Sequence, residues 1–208
     1  MQPIDTLLVF FTASMLLALS PGPDNLFVLA QAAQRGRLAG IVVTFGLCTG
    51  LLAHTSAVAL GVAAIFQTSA VAFSLLKYIG AAYLLYLAFQ SFTAGDNNPA
   101  QQRSRDLGLG RLYGRGIIMN ITNPKVSLFF LAFLPQFTDP ALGPIVPQIL
   151  LLGLLFILST VLVFGSISFL AGSVGDLFRN SARARGILNR LAGGVFVALA
   201  IKLALVRR

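Results

Sequence analysis

Polar and charged side chains interrupt the first apolar segment of the chain. Between the apolar stretches Leu7–Leu19 and Leu26–Ala33 the sequence reads Ser20-Pro21-Gly22-Pro23-Asp24-Asn25. Proline has no N–H group, so the carbonyls of Leu17 and Leu19, four residues before each proline, lose their helical partners. Unpaired carbonyls and lone carboxylates are costly in hydrocarbon, and such carboxylates usually have a function. The stretch predicts a binding site at a broken helix or, alternatively, a kinked helix in which Asp24 is capped locally.

A second motif of the same form lies later in the chain, where Asn123, Pro124 and Lys125 follow one another. Serine or asparagine can cap a helix, and proline suits the first helical position. We therefore expect a new helix to begin at Ser20-Pro21 and another at Asn123-Pro124. The N-terminus of a helix offers free N–H groups and a partial positive charge, which together suit a carboxylate.

The two motifs bring one acidic and one basic residue into apolar segments. Asp24 suits an amine and Lys125 suits a carboxylate, so together they predict a site for a zwitterion such as an amino acid. The alternative is an ion pair between Asp24 and Lys125 that only holds the two helices together, because charges within a membrane often pair with one another.

Further polar side chains within the apolar segments are candidates for the same site. Asn25, Asn120 and Asn123 can hydrogen-bond with substrate or with the interrupted backbone. His54 is the only histidine, and an imidazole titrates near neutral pH, so His54 and Asp24 are candidates for proton coupling; a packing role for His54 is the alternative. Tyr83 is a candidate for the wall of a cavity or for simple packing.

The composition is that of an integral membrane protein. Of the 208 residues 57% are hydrophobic and only 10% are charged, and the mean hydropathy is +0.86. A soluble domain carries about 25% charged residues. The net charge of +9 comes from basic residues in short loops, which indicates membrane orientation rather than nucleic-acid binding. Cys48 is the single cysteine, and no HExxH pattern or glycine-rich phosphate loop is present, so we predict no disulfide, metal site, cofactor or enzyme activity.

Six segments are long and apolar enough to cross a bilayer. We expect them at about Ile4–Ala33, Leu38–Phe66, Val71–Phe92, Gly116–Phe137, Pro144–Ala171 and Ile187–Val206. The first is expected to stay in the protein, because no basic stretch precedes it as in a signal peptide. The chain is thus predicted to be one all-α domain over residues 1–208, with a three-helix half at 1–92, a loop at 93–115 and a second half at 116–208.

The charges of the loops predict the orientation of these helices. The turns after the second and fourth helices contain no Lys or Arg, whereas the other three contain Arg35, Arg37, Arg103, Arg105, Arg111, Arg179, Arg183 and Arg185. Basic loops face the cytoplasm, so both termini are expected outside. Each half opens with a proline-interrupted segment, and three helices per half place the halves in opposite orientations, the 3+3 arrangement of inverted-repeat transporters.

The sequence resembles the LysE/RhtB family of bacterial amino-acid exporters over nearly its whole length. The resemblance rests on the six segments, the motif at Ser20–Asn25, the Asn123-Pro124-Lys125 motif followed by Ser127–Phe130, and the run from Gly80 to Leu87. It implies export of amino acids or close derivatives across the inner membrane, driven by the proton gradient. It also implies that the functional residues of the family's two motifs are, in this chain, Pro21, Gly22, Pro23, Asp24, Asn123, Pro124 and Lys125.

Two alternatives follow from the residues. A metal-ion or other small-solute exporter could have the same architecture, although Asp24, His54 and Cys48 are few and scattered as metal ligands. An intramembrane enzyme would need a nucleophile and a base that the sequence does not supply. The expected partners are the bilayer, protons and a small zwitterion, and Gly46-x-x-x-Gly50 suits either a homodimer contact or internal helix packing.

Overall fold

The computed structural model describes residues 2–20, 22–68 and 108–171, together with short helical pieces between residues 78 and 93 and between 186 and 204. The described residues form helices, turns and bends, without strands. Six α-helices have defined bounds: α1 Ile4–Leu19, α2 Pro23–Arg35, α3 Arg37–Thr68, α4 Leu109–Thr122, α5 Pro124–Leu128 and α6 Ile145–Phe169. A π-helix (Phe129–Phe133) and two 3₁₀ turns (Leu134–Phe137 and Pro140–Leu142) lie between α5 and α6.

Two of the helices are long and apolar enough to cross a membrane by themselves. Arg37–Gly61 of α3 has a mean hydropathy of 1.7, and α6 has 2.6. Two pairs of consecutive helical segments are long and apolar enough only when the two members of each pair are joined. These pairs are α1 with α2, bent by 61°, and α4 with Pro124–Phe137, bent by 50°. The described residues therefore contain two candidate spans, or four if each bent pair is one span.

Some of the predicted segments match the observed helices, some differ in their bounds, and some lie outside the described residues. The basic turn after α2 is reduced to Gly36, whose φ of 86° favours glycine. α4 begins at Leu109, so the end of the predicted 93–115 loop is helical rather than irregular. Most of the predicted third and sixth spans, at 71–92 and 187–206, and the loop from 94 to 107 lie outside the described residues.

Small residues allow α3 to pack closely against α4. A Cβ on Gly50 would lie 2.7 Å from the Asn120 side chain, and one on Gly116 would lie 2.6 Å from the carbonyl of Val43. A Cβ on Gly46 would likewise overlap the backbone at Tyr113. The Gly46-x-x-x-Gly50 pair is therefore used for packing inside the chain, which is one of the two roles that the sequence allowed.

Phenylalanine side chains of α1, the π-helix and α6 pack against one another in the core. Phe10 stacks edge-on to Phe137 at 5.1 Å between ring centroids, and Phe129 and Phe130 both contact Phe156. The outer surface is also apolar: Leu60 of α3 and Leu154 of α6 are more than half exposed. A surface of this kind facing outward from a packed interior suits contact with lipid.

Candidate functional site

The chain bends between α1 and α2 and leaves carbonyl groups at the end of α1 without helical partners. Ser20, whose side chain is buried, ends α1 rather than capping α2, because the residue before α2 is Gly22 and Pro23 is its first residue. The expectation that Ser20-Pro21 would begin the second helix was therefore wrong by two residues. Asn25, in the first turn of α2, donates its Nδ2 to the carbonyl of Ala18. Pro21 itself lies outside the described residues.

The second bend, between α4 and α5, has the local geometry that the sequence predicted. Asn123 precedes α5, its Oδ1 accepts a hydrogen bond of 3.0 Å from the N–H of Lys125, and Pro124 is the first helical residue. Asn120 lies four residues before Pro124, and proline has no N–H group to donate to the Asn120 carbonyl. It accepts instead from the N–H of Asn123 at 3.1 Å and from Nε2 of His54 at 3.2 Å.

The side chain of Lys125 joins the two bends. Its Nζ donates to the carbonyl of Leu17 at 3.0 Å and to that of Ser20 at 2.9 Å. Leu17 is one of the two residues whose carbonyl was predicted to lose its partner to proline. Gly22 makes room for this approach, because a Cβ there would lie 3.2 Å from Nζ. A basic side chain from one half of the chain thus completes the backbone hydrogen bonding of the other.

Asp24 lies beside Lys125 but takes a different partner. Its side chain is 4% exposed, and its Oδ2 accepts a 3.4 Å hydrogen bond from Nδ2 of Asn120. Within the described part of the chain Asp24 and Lys125 form no direct ion pair. The two charges were expected either to hold a substrate or to pair with each other; in the structure they line one cavity and are held by separate groups.

A small cavity of about 20 Å³ lies where the two bends meet α6. Such a volume admits about one water-sized group. It is lined by Leu17, Ala18, Asp24, Asn25, Asn120, Lys125, Val126, Phe156, Thr160 and Phe164. Ala18 and Val126 were not predicted from the sequence, and neither were the three residues that α6 contributes, Phe156, Thr160 and Phe164. The spacing of four residues between these three α6 positions, with Thr160 as the polar member, marks one face of a helix and was the available signal.

His54 reaches this site from α3. It is half-buried, and its ring lies 5.6 Å from that of Phe130. Because a carbonyl only accepts hydrogen bonds, the contact with the Asn120 carbonyl places a proton on Nε2 of His54. Asn120 therefore contacts His54 through its backbone and Asp24 through its side chain.

The structure brings most of the predicted site residues together. Ser20, Gly22, Pro23, Asp24, Asn25, Asn120, Asn123, Pro124 and Lys125 lie at the two bends, and His54 lies next to them. Tyr83, like Pro21, lies outside the described residues. Among the residues that the structure describes, no group of three or more His, Cys, Asp or Glu side chains is placed to hold a metal ion.

Comparison with known proteins gives consistent matches along the chain. A family model described as LysE type translocator matches residues 15–207. A homoserine/homoserine lactone efflux protein of Salmonella typhimurium is 31% identical over 198 residues, which cover 95% of each chain. An uncharacterized membrane protein of Vibrio cholerae is 30% identical over 197 residues, also 95% of each chain. No solved structure matches.

Proposed function

Because the chain belongs to the LysE family of translocators, we propose that it exports amino acids or their close derivatives from the cytoplasm across the bacterial inner membrane. The observation that carries the proposal is the polar site itself. A buried carboxylate, a buried ammonium and three buried amides meet at two helix bends in a chain that is otherwise largely apolar. Groups of this kind within a membrane mark the path of a polar solute.

The charges of the site suit a small zwitterion. Two of the three N–H donors of Lys125 are taken by the carbonyls of Leu17 and Ser20, and the third remains for a substrate carboxylate. Asp24, which lines the same cavity, carries the opposite charge. The Salmonella relative is named for homoserine, which is a zwitterion with a short uncharged side chain.

Transport of such a solute requires the site to open. The cavity admits about one water-sized group, so a whole amino acid enters only when the two bends move apart. We propose that the bent pairs α1–α2 and α4–α5 are the broken first helices of two inverted three-helix halves. In that arrangement the halves alternate around a site near the middle of the membrane.

We further propose that proton antiport drives export through Asp24 and His54. A carboxylate that has taken up a proton has lost its charge and binds an ammonium group more weakly. Proton and substrate therefore compete for Asp24. His54 contacts the backbone carbonyl of Asn120, and the side chain of Asn120 donates to Asp24, so the two candidate proton carriers are neighbours of the same residue.

Reconstitution into proteoliposomes tests the transport proposal. A panel of radiolabelled amino acids, homoserine and homoserine lactone, together with divalent metal ions, would be loaded inside and their efflux followed with and without an imposed pH gradient. We expect efflux of a small neutral amino acid or derivative, faster with the gradient and abolished by Asp24→Asn. Efflux of a metal ion alone, or of no compound, contradicts the proposal.

The orientation is a separate proposal, with both termini in the periplasm and the 93–115 region in the cytoplasm. Single cysteines at Thr68 and Gln101, each in a Cys48→Ser background, report it through an impermeant thiol reagent applied to intact cells. We expect labelling at position 68 only. Labelling at position 101 only would reverse the topology.

A further inference from the structure

We propose that the hydroxyl of Thr160 recognises an uncharged hydrogen-bonding group, such as a hydroxyl, on the side chain of the exported compound, which rests on the proposed function and specifies its substrate class. Thr160 lies on α6, is 2% exposed and lines the cavity between the bends. Of the described residues that line this cavity, it alone has a hydroxyl side chain. Its Oγ1 makes no hydrogen bond to any residue that the structure describes.

The other buried hydroxyls inside the described helices are paired within their own helix. On α6 the hydroxyls of Ser159 and Ser168 donate to the carbonyls four residues earlier, at 2.9 Å and 2.7 Å. The same bond is made on α1 and α3 by the buried residues Ser14, Thr44 and Thr55. Such a bond occupies the hydroxyl with the backbone. Among the buried hydroxyls inside the described helices, only that of Thr160 is left for another partner.

The oxygen of Thr160 borders open space. An unpaired oxygen in so buried a residue is either enclosed by protein or next to a cavity, and Oγ1 is not among the described side-chain atoms that are both enclosed and unpaired. The open space that Thr160 lines is the cavity between the bends. A buried hydroxyl without a partner is costly, so it is available to a polar group that enters this cavity.

The surroundings of Thr160 indicate which part of a zwitterion it meets. Phe156 and Phe164 lie about one turn before and after it on α6, and both line the cavity. The charged residues of the cavity, Asp24 and Lys125, belong to other helices. A charged group is costly to bury away from an opposite charge, so the substrate's amine and carboxylate belong with Asp24 and Lys125. The neutral hydroxyl on α6 then meets the substrate side chain when the site opens.

Homoserine and norvaline separate this hydrogen bond from size, because a methyl group in norvaline replaces the terminal hydroxyl of homoserine. A site built to hydrogen-bond a substrate hydroxyl rejects an analogue that lacks it, since the buried partner is left unpaired. In proteoliposomes loaded with either radiolabelled compound at low concentration, we expect homoserine efflux to be at least roughly tenfold faster than norvaline efflux. Equal efflux of the two compounds overturns the proposal.

Three variants assign this preference to Thr160. Thr160→Val keeps the shape of the side chain without its hydroxyl, so we expect the preference to disappear, mainly through slower homoserine efflux. Thr160→Ser keeps the hydroxyl and should keep the preference. Ser159→Ala is the matched control, because Ser159 is the neighbouring buried hydroxyl of α6, is paired with the backbone and does not line the cavity. A Thr160→Val variant with the native preference contradicts the proposal.

Thermal unfolding of the purified full-length protein in detergent gives a second measurement. Because the Thr160 hydroxyl has no partner among the described residues, Thr160→Val should not lower the unfolding midpoint; a fall of many degrees would mean that the protein itself pairs the hydroxyl, and would refute the assignment. Homoserine should raise the midpoint of the native protein more than an equal concentration of norvaline does. In Thr160→Val the two compounds should have equal effects.

The two measurements distinguish failure of this assignment from failure of the proposed function. If the protein exports homoserine and norvaline equally well, the function stands and the role of Thr160 is wrong. If nothing in the panel is exported, but homoserine stabilises the native protein more than norvaline and Thr160→Val removes the difference, the role of Thr160 stands and the export of amino acids is wrong.

Discussion

Replacing Lys125 with methionine tests whether this side chain stabilises the protein through backbone carbonyls or through Asp24. Methionine fills much the same space but cannot donate a hydrogen bond. The variant loses the bonds of 3.0 Å to Leu17 and 2.9 Å to Ser20, both buried. A hydrogen bond with a charged partner contributes about 1.5–3 kcal/mol, so we expect a loss of about 3–6 kcal/mol.

The double variant Asp24→Asn with Lys125→Met distinguishes the two explanations. If Lys125 mainly balances the charge of Asp24, removing both charges restores stability. If Lys125 mainly pairs the two carbonyls, the double variant is about as unstable as Lys125→Met, since the carbonyls still lack a donor. The structure favours the second outcome, because Asp24 accepts its hydrogen bond from Asn120 and not from Lys125.

The assay is reversible unfolding in mixed micelles, with midpoint and slope compared across the variants. For a chain of about 200 residues, 1 kcal/mol moves the midpoint of thermal unfolding by about 2–4 °C, so a shift on the order of 10 °C is expected for Lys125→Met. Ser127→Ala is the control on the same segment, because it removes only neutral local bonds such as that to Asn123 at 3.1 Å. A double variant as stable as the native protein would refute the reasoning.

Three further predictions concern single positions. Gly22→Ala should slow transport severalfold, because its Cβ would crowd Nζ of Lys125, and an efflux rate equal to that of the native protein would contradict this reading. Gly116→Ala should lower the unfolding midpoint by several degrees, because its Cβ would overlap the carbonyl of Val43; Gly165→Ala, with no atom nearby, is the control for both glycine variants. His54→Gln should keep exchange at equal concentrations but lose pH-driven accumulation, and unchanged accumulation would leave Asp24 as the sole candidate proton carrier.

The sequence predicted the second bend better than the first because capping is a local effect. Asn123, Pro124 and the N–H of Lys125 lie within three residues, so their geometry follows from the motif. At the first bend either Pro21 or Pro23 could be the first residue of the second helix. A residue before proline is pushed out of the helical region, and Gly22 precedes Pro23, so a helix cannot begin at Pro21 and continue.

The start of α4 was placed too late because arginines were taken to mark a loop. Arg111 and Arg115 lie in the helix, and the guanidinium of Arg115 lies 5.0 Å from the centre of the Phe27 ring. The buried residues Leu112, Gly116 and Asn120 recur every four positions, which was a helical signal.

The contacts across the site could not be read from the chain. Which carbonyls Lys125 would reach depends on how two bends, more than a hundred residues apart, pack against α6. The π-helix at Phe129–Phe133 also has no sequence signature, although it sets the direction in which Phe129, Phe130 and Phe133 meet α1 and α6. Residue types predicted most of the polar groups that lie at the two bends, and packing determined which of them touch.

The bonds from Lys125 also have a consequence for biogenesis. The carbonyls of Leu17 and Ser20 leave the ribosome 108 and 105 residues ahead of the ammonium that pairs them. At synthesis rates of about 5–20 residues per second, they wait roughly 5–20 s for it. The amide of Asn25, only seven residues from Ala18, is available almost at once. We therefore expect the first bend to form before these two bonds do, with water or the insertion machinery pairing the two carbonyls during that interval.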